Sequence, residues 1–322
     1  MPSTMKTALV AALAAVATAF PTGANKRQAP PAPGAPPAAP PAAPPAAPAA
    51  GLTDIDILQF ALTLEWLEGT FYQQGFQKFP ASDFMALGLT QEQVNDLQQV
   101  GATELSHVSF LQSAIAQAGT QPVQPCQYNF GFTDAASMVK TAAILENVGV
   151  SAYLGAAPLV KDKAILGAAG SILTIESRHQ TFIRGASKQV AIPQAFDAPL
   201  GVRAVFSLAA PFITSCPAGS NLALQPFPKL TMTAPAAPSA VAIGAPIVLQ
   251  ADTAAQAKAC AFTTGGLQPG GTTFSPFNPQ TGCVVPSGLS GITYVSLTNQ
   301  APMTGVLSDD ITVAGPMVLT IS

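Results

Sequence analysis

Both histidines of the chain stand in the same short pattern, in which a glutamate precedes each histidine by three positions. The two copies are Glu104-Leu105-Ser106-His107 and Glu176-Ser177-Arg178-His179. On a helix, residues three positions apart lie on one face, so each copy would present a carboxylate beside an imidazole. These two groups together bind divalent transition metals such as iron and manganese. The pattern therefore predicts a metal site on two helices.

Two more glutamates form a second repeated pattern: Glu65 and Glu146 each follow a leucine, and six residues separate each of them from a tyrosine. The tyrosines are Tyr72 and Tyr153. Residues 54–188 are therefore interpreted as a duplicated pair of helices, each half with one single glutamate and one Glu-x-x-His pattern. Glu68 competes with Glu65 because it lies one helical turn away, and the matching tyrosine spacing favours Glu65.

The four glutamates of these patterns share their helical faces with apolar residues, which predicts that the carboxylates are buried. Burying ionised carboxylates without a partner costs several kcal/mol each, or raises their pKa values until they take up protons. Two divalent cations would balance the four negative charges, and the histidines would add neutral nitrogen ligands. We therefore predict a dinuclear metal site inside a helical bundle.

The helices that must position these residues are visible from Thr53 to about Ala210, where apolar side chains recur at intervals of three and four. Four long helices are predicted at residues 54–74, 91–118, 135–156 and 161–188, with a shorter one near residues 201–210. Hydroxyl or acidic residues stand at the starts, and Gly75, Gly119 and Gly185 stand at the predicted ends. The connection from Gly119 to Thr133 is long enough to cross the end of a bundle, while the other loops leave the topology open.

After Lys229 the pattern changes to short β-branched runs separated by glycine, proline and serine. Strands are predicted at residues 246–251, 260–264, 282–285, 291–298 and 316–321, which together favour a small antiparallel sandwich. This region contains neither glutamate nor histidine, so we predict no catalytic site there.

The amino terminus has the features of an export signal. Lys6 precedes an uncharged apolar run at residues 7–19 that ends in small residues, as is typical of a secretory signal peptide at residues 1–19. Residues 20–50 are predicted to be a pro-segment, with a dibasic processing site at Lys26-Arg27, followed by a Pro/Ala-rich spacer. No other stretch is expected to be long and apolar enough to span a membrane. We therefore expect a secreted protein that is extracellular or bound to the cell wall, and not transmembrane.

The charge and the cysteine content of the chain further limit the classes of protein to which it can belong. With 13 Lys and Arg against 16 Asp and Glu, the chain has no basic stripe for phosphates, so we expect no nucleic-acid partner. Four cysteines in an exported chain predict two disulfides. Three pairings are open, and the one that respects the change of pattern joins Cys126 to Cys216 and Cys260 to Cys283.

The repeated motif resembles the ferritin-like superfamily of di-iron and di-manganese carboxylate proteins. The signal peptide, the segment around Glu65 and the Cys126-x-Tyr128-x-Phe130 loop are similar to secreted fungal ferritin-like proteins of stress response and late sexual development, and to plant desiccation-related proteins. The resemblance implies an α+β multidomain protein, with a ferritin-like four-helix bundle at residues 51–230 and a small antiparallel β-sandwich at residues 231–322. It implies that the metal ligands are Glu65, Glu104, His107, Glu146, Glu176 and His179.

Two hypotheses for the function follow, and the sequence leaves open whether the protein is an enzyme. In the first, two iron or manganese ions act on peroxide or dioxygen in oxidase, peroxidase or catalase-like chemistry. In the second, a non-enzymatic structural or protective protein at the cell surface has a vestigial or purely structural metal site, and the spacer and sandwich attach it to the cell wall. The sequence does not distinguish iron from manganese.

Overall fold

The computed structural model of the protein describes residues 51–220, 224–235, 241–265 and 270–321. The predicted signal peptide, the dibasic site and the proline-rich spacer lie outside the described residues.

Four long helices and two short ones make up the first part of the described chain. They are α1 (Asp54–Lys78), α2 (Ala81–Ala86), α3 (Gln91–Gln117), α4 (Ala135–Ala156), α5 (Lys163–Ala186) and α6 (Val202–Ala209). The caps of Thr53 and Thr90 form as predicted, and each side chain accepts a hydrogen bond from the backbone three residues later. Helix α1 packs mainly against α3, and α4 packs mainly against α5. The duplicated pairs of the sequence are therefore pairs of packed helices.

The prediction that α1 ends at Gly75 is wrong, because the helix continues to Lys78. Gly75 serves packing instead. A Cβ atom at this position would lie 2.3 Å from Sδ of Met138, so only glycine lets α4 approach α1 so closely. Helix α5 likewise passes through Gly185, and the chain turns at Lys188, whose φ of 58° lies in the left-handed region. Gly119, with φ of 77°, does follow the end of α3.

The described residues also form nine strands, which pair in antiparallel fashion. They are β1 (Gln127–Tyr128), β2 (Ile213–Ser215), β3 (Thr231–Ala234), β4 (Pro246–Gln250), β5 (Ala259–Thr263), β6 (Thr272–Pro276), β7 (Cys283–Val284), β8 (Gly291–Thr298) and β9 (Thr312–Ile321). Strands β1 and β2 pair beside the bundle, and the others form sheets of order β3-β4-β7 and β6-β5-β8-β9. The α+β fold class, with a helical bundle followed by antiparallel sheets, is confirmed.

The five strands predicted from the sequence correspond to β4, β5, β7, β8 and β9. The sequence analysis missed the other four, which are two to five residues long and lie among glycines, prolines and threonines. The two larger sheets share one apolar core, to which Ile247 of β4 and Phe262 of β5 contribute.

The disulfides join Cys126 to Cys216 and Cys260 to Cys283, which is the pairing that the sequence favours. The first holds the segment before β1 to the segment after β2. The second links β5 of the four-stranded sheet to β7 of the three-stranded sheet. Among the described residues no cysteine is free.

The four-stranded sheet packs directly against the bundle through Tyr294 of β8, which is buried in the same core as the helices. Asn147 of α4 donates a hydrogen bond from Nδ2 to the Tyr294 hydroxyl at 2.7 Å, and Ser151 Oγ lies 2.9 Å from the same hydroxyl. Sheet and bundle are therefore joined by a polar contact inside an apolar core, and Asn147 directly follows Glu146 in the sequence.

Helix α4 with the turn that follows it, Ala135–Leu159, is long and apolar enough to cross a membrane, judged by length and composition alone. The expectation that no stretch beyond the short amino-terminal run is long and apolar enough to span a membrane is therefore wrong for this helix, by length and composition. More than half of its most apolar window is buried inside the protein, as in the core helix of a bundle. Within the part of the chain that the structure describes, it is the one candidate.

Candidate metal centre

The six predicted ligands lie together at the middle of the bundle. Glu65 comes from α1, Glu104 and His107 from α3, Glu146 from α4, and Glu176 and His179 from α5. All four carboxylate residues are at most 1% exposed, and the two histidines are at most 9% exposed. Each helix reaches the centre with the face that the sequence pattern assigns to the core.

The ligands fall into two overlapping groups that share two carboxylates. Within each group, one candidate donor atom of every residue lies within 4.8 Å of the others. One group consists of Glu65, Glu104, His107 and Glu176, and the other of Glu104, Glu146, Glu176 and His179. Because Glu104 and Glu176 belong to both groups, the two groups form one continuous cluster that could hold metal ions.

The imidazole Nδ1 atoms face the carboxylates. His107 Nδ1 lies 3.1 Å from Glu104 Oε2, 3.2 Å from Glu65 Oε2 and 3.4 Å from Glu176 Oε1. Three carboxylates thus surround one nitrogen, which carries at most one hydrogen to donate. His179 Nδ1 lies 2.8 Å from Glu104 Oε1 and 3.1 Å from Glu146 Oε2. Hydrogen bonds from two imidazoles do not satisfy this many carboxylate oxygens, whereas cations between them would.

The two tyrosines of the repeated pattern connect opposite helices. Tyr153 of α4 donates its hydroxyl hydrogen to Glu65 Oε1 at 2.6 Å, and Tyr72 of α1 donates to Glu146 Oε1. From the sequence, core packing is the favoured role of both tyrosines, and a hydrogen bond to a ligand carboxylate is the alternative. In the structure they orient the carboxylates of the two single glutamates.

Thr103 is a site residue that the sequence analysis missed. Its hydroxyl lies 2.9 Å from His179 Nε2 and also donates to the Val100 carbonyl at 2.6 Å. With its hydrogen committed to Val100, the hydroxyl accepts from Nε2–H, which fixes the ring so that Nδ1 faces the carboxylates. The second copy of the motif has Ile175 at the equivalent position, so the duplication itself gave no signal for this contact.

Glu68 adds a fifth buried carboxylate beside the two groups. It is 4% exposed, and its carboxylate and that of Glu176 both pack against Gly149 of α4. A Cβ atom at Gly149 would lie 2.6 Å from Glu176 Oε2 and 3.4 Å from Glu68 Oε1. The structure therefore places Glu65 in a ligand group and Glu68 next to it, so that five of the six glutamates of the chain surround this centre.

Burial and mutual repulsion disturb the pKa values of the acids. Burial raises the pKa of Glu65 to about 7 and, together with neighbouring carboxylates, raises the pKa values of Glu68 and Glu176 well above their usual range. Burial would also raise the pKa of Glu104, but hydrogen bonds from both histidines lower it to about 2. The cluster thus has more carboxylates than its own histidines can neutralise, and without a cation some of them hold protons at neutral pH.

The histidines show the opposite effect. Burial would lower the pKa of His179, but its hydrogen bonds with Glu104 and Glu146 raise the value to about 10. The pKa of His107 is also raised by the surrounding carboxylates. Without a cation, both imidazoles are therefore charged at neutral pH, and they hold the cluster together as ion pairs.

The donor set fits a pair of divalent transition metals. Both carboxylate oxygens of Glu176 are buried without a hydrogen-bond partner among the described residues. Buried carboxylate oxygens without partners are costly, and a cation would satisfy them. Oxygen donors combined with imidazole nitrogen suit iron and manganese.

Comparisons with known proteins agree with this geometry. Residues 53–189 match the family model of the ferritin-like domain, and this range contains all six predicted ligands. The chain is also similar to Protein rds1 of Schizosaccharomyces pombe, with 26% identity over 183 residues, which are 56% of this chain and 45% of that protein. The match thus spans less than half the length of this relative. Residues 53–189, which hold the buried cluster of glutamates and histidines, therefore match the ferritin-like domain, in a chain that is similar to a fungal protein.

Proposed function

We propose that the bundle binds two iron or manganese ions and uses them in redox chemistry on peroxide or dioxygen. The observation that carries this proposal is the pair of overlapping ligand groups that share Glu104 and Glu176. Two divalent cations would neutralise the four ligand carboxylates and leave both imidazoles as neutral donors. Each ion would have three carboxylates and one histidine within reach.

The bound ions would supply one-electron redox steps and coordination positions open to a small oxidant. The residues of the chain have separate tasks around them. Tyr72 and Tyr153 hold Glu146 and Glu65 in place, and Thr103 fixes the orientation of His179. The apolar core of the bundle limits water at the centre, which strengthens electrostatic interactions there.

The cavities next to the centre favour a small substrate. A pocket of about 40 Å³ adjoins Tyr153 and is otherwise lined almost entirely by apolar residues such as Ala61, Leu111 and Ile172. Such a volume holds only a few heavy atoms, which suits dioxygen or peroxide. A second cavity of about 180 Å³ has Glu68 as its one charged lining residue, and reaches the centre from the side of α6.

The decisive experiment loads the purified protein with Fe(II) or Mn(II) and measures both the metal content and the rate of peroxide decay. We expect about two ions per chain, and loss of both binding and turnover in the double variant Glu104→Gln/Glu176→Gln. Glu92→Gln is the matched control, because Glu92 is exposed at the start of α3 and lies outside the cluster. Fewer than one ion per loaded chain would refute the proposal.

The same experiment separates the enzyme from a purely protective protein. The ions have a structural task if they bind in stoichiometric amounts and raise the melting temperature, but cause neither peroxide decay nor oxygen consumption. Peroxide decay that depends on metal and disappears in the double variant would assign them a catalytic one.

We also propose that the protein is exported and acts in stress response or sexual development. The two disulfides support export, since such bonds persist in oxidising compartments. The biological context comes from the resemblance to fungal ferritin-like proteins. Amino-terminal sequencing of protein from the culture medium should give a start after Ala19 or near Gln28. Retention in the cell with residues 1–19 attached would contradict export.

A further inference from the structure

A pocket separate from the metal centre lies where the bundle meets the four-stranded sheet. It is bounded by the loop between α2 and α3, by α4, by the end of α5 and by strands β8 and β9. Its volume is about 410 Å³, which is in the range of small-molecule sites. We name it the interface pocket. Sites of this kind occur preferentially where separate structural units meet.

Most residues that line the interface pocket are apolar, and Ser187, Gln189 and Thr320 add uncharged polar groups. The apolar residues include Leu87, Leu89, Val139, Ala143, Ile144 and Ile292. Leu87 is 41% exposed although it is a large apolar residue, and it stands at the edge of the pocket. An apolar wall of this size is suited to an alkyl chain and would gain from being covered.

Two lysines, Lys140 and Lys188, line the same pocket, and no aspartate or glutamate does. A pocket lined by two lysines and by no acidic residue is unusual in a chain with a net charge of −3. Every ion pair found among the described residues is between a histidine and a glutamate of the metal centre, so both ammonium groups lack a carboxylate within 4.0 Å there. The pocket therefore combines an apolar wall with two unpaired positive charges.

Lys188 occupies a position that favours glycine. Its φ of 58° makes it the one residue other than glycine with positive φ in the described ranges. Its backbone N–H donates to the Gly185 carbonyl at 3.0 Å and so ends α5, a role that glycine usually has. A Cβ atom at Gly88 would lie 3.5 Å from Lys188 Nζ, so the ammonium group lies against the loop between Leu87 and Leu89. Lys188 therefore combines a strained backbone with an ammonium group at the edge of the pocket.

We propose that the interface pocket binds a single-chain amphipathic carboxylate of the fatty-acid type. Lys140 and Lys188 would hold the carboxylate, and the apolar wall would cover the alkyl chain. A neutral apolar molecule would leave both charges unused, and a small inorganic anion would leave the wall exposed. The site shares no lining residue with the metal centre, so this proposal is independent of the redox function.

The test is a calorimetric titration of the full-length protein with dodecanoate, and with dodecanol and inorganic phosphate as comparison probes. We expect saturable binding of one dodecanoate per chain, with at least tenfold weaker binding of the other two. Lys140→Gln and Lys188→Gln should each weaken dodecanoate binding about tenfold, since each removes one charge-assisted hydrogen bond. Lys161→Gln is the matched control, because Lys161 is an exposed lysine that precedes the opposite end of α5.

Two further variants keep the result interpretable. Lys188→Gly suits the left-handed backbone, so the protein should fold at least as stably and still lose affinity. Ala136→Trp places a large ring at an exposed position of the pocket and should block dodecanoate without disturbing the core. Equal binding of dodecanol and dodecanoate, phosphate binding as tight as that of dodecanoate, or unchanged affinity in the lysine variants would each overturn the proposal.

Discussion

Tyr153 of α4 donates a hydrogen bond to Glu65 of α1 across the bundle at 2.6 Å. The equivalent tyrosine of the first half, Tyr72, donates to Glu146 in the opposite direction. Each half of the duplicated sequence therefore positions the single glutamate of the other half. Each ligand group contains residues from both halves, so the centre needs both copies of the pattern.

Removing one of these hydroxyl groups should weaken metal binding. Tyr153→Phe leaves Glu65 Oε1 without its donor, and residues that support ligands typically change affinity by roughly 10–100-fold. We expect a loss of this size in a chelator competition assay with Mn(II). Tyr128→Phe is the control, because Tyr128 lies in β1 outside the ligand groups. Equal affinities of the two variants would show that the hydroxyl group does not position the ligand.

The metal-free protein should become less stable as the pH rises. The pKa of Glu65 is raised to about 7, so the folded state holds a proton that the unfolded state has released, and this advantage disappears between about pH 4.5 and pH 7. The pKa of His179 is raised to about 10, so its contribution is complete below about pH 6.5 and is lost as the pH rises to 10. The pKa of Glu104 is lowered to about 2, so its contribution to the stability of the fold is complete above about pH 4.5 and is lost only as the pH falls below that value.

Metal loading should reverse this pH dependence. The ions need deprotonated carboxylates and neutral imidazoles, so their binding becomes stronger as the pH rises. We expect the melting temperature of the metal-free protein to fall by roughly 5 °C between pH 5.5 and pH 8.5. The gap, meaning the difference in melting temperature between the metal-loaded and the metal-free protein, should widen over the same range. Differential scanning calorimetry of both forms measures this. A gap that narrows towards pH 8.5 would argue against metal at these residues.

A methyl group on α4 should disturb the shared carboxylate. Gly149→Ala would bring Cβ to 2.6 Å from Glu176 Oε2, so the carboxylate of Glu176 must move. Because Glu176 belongs to both ligand groups, this movement would change the arrangement of donor atoms in both. We expect metal content to fall to one ion per chain or fewer. Gly170→Ala on α5 is the matched control, since nothing lies within 4 Å of a Cβ there. It should keep full metal content and gain up to about 1 kcal/mol of stability from helix propensity.

Lys188→Gly should stabilise the protein while it removes a positive charge. Holding a residue other than glycine in the left-handed region costs about 1–2 kcal/mol, part of which returns when glycine replaces it. We expect the free energy of unfolding in urea to rise by about 1 kcal/mol. Lys188→Ala tests the cause, since it removes the same charge but retains the backbone strain. A similar gain in both variants would assign the effect to charge.

Much of the site could be predicted because its residues are rare. Two histidines and six glutamates in 322 residues leave few ways to repeat a spacing by chance. The helical period then placed the repeated residues on inward faces, where the structure has them. Glu68 was set aside because spacing ranks residues along one helix, whereas its burial depends on Gly149 of another helix.

The features of the fold and the site that could not be predicted depend on contacts between elements that are distant in the sequence. Thr103 is important only because His179 lies opposite it, 76 positions later. Gly75 looked like a helix end because glycine often has that role, but its missing side chain makes room for Met138. The contact of Tyr294 with α4 links residues that are 147 positions apart. No local pattern carries such information.

The disulfide between Cys126 and Cys216 closes a covalent ring of about 90 residues. This ring contains α4, α5 and α6, and therefore Glu146, Glu176 and His179, whereas the ligands of α1 and α3 are outside it. A ring of this length lowers the entropy of the unfolded chain by an amount worth roughly 4–5 kcal/mol. Even after thermal opening, three of the six donors thus stay tethered within one loop, and the chain has a shorter search to reassemble its centre.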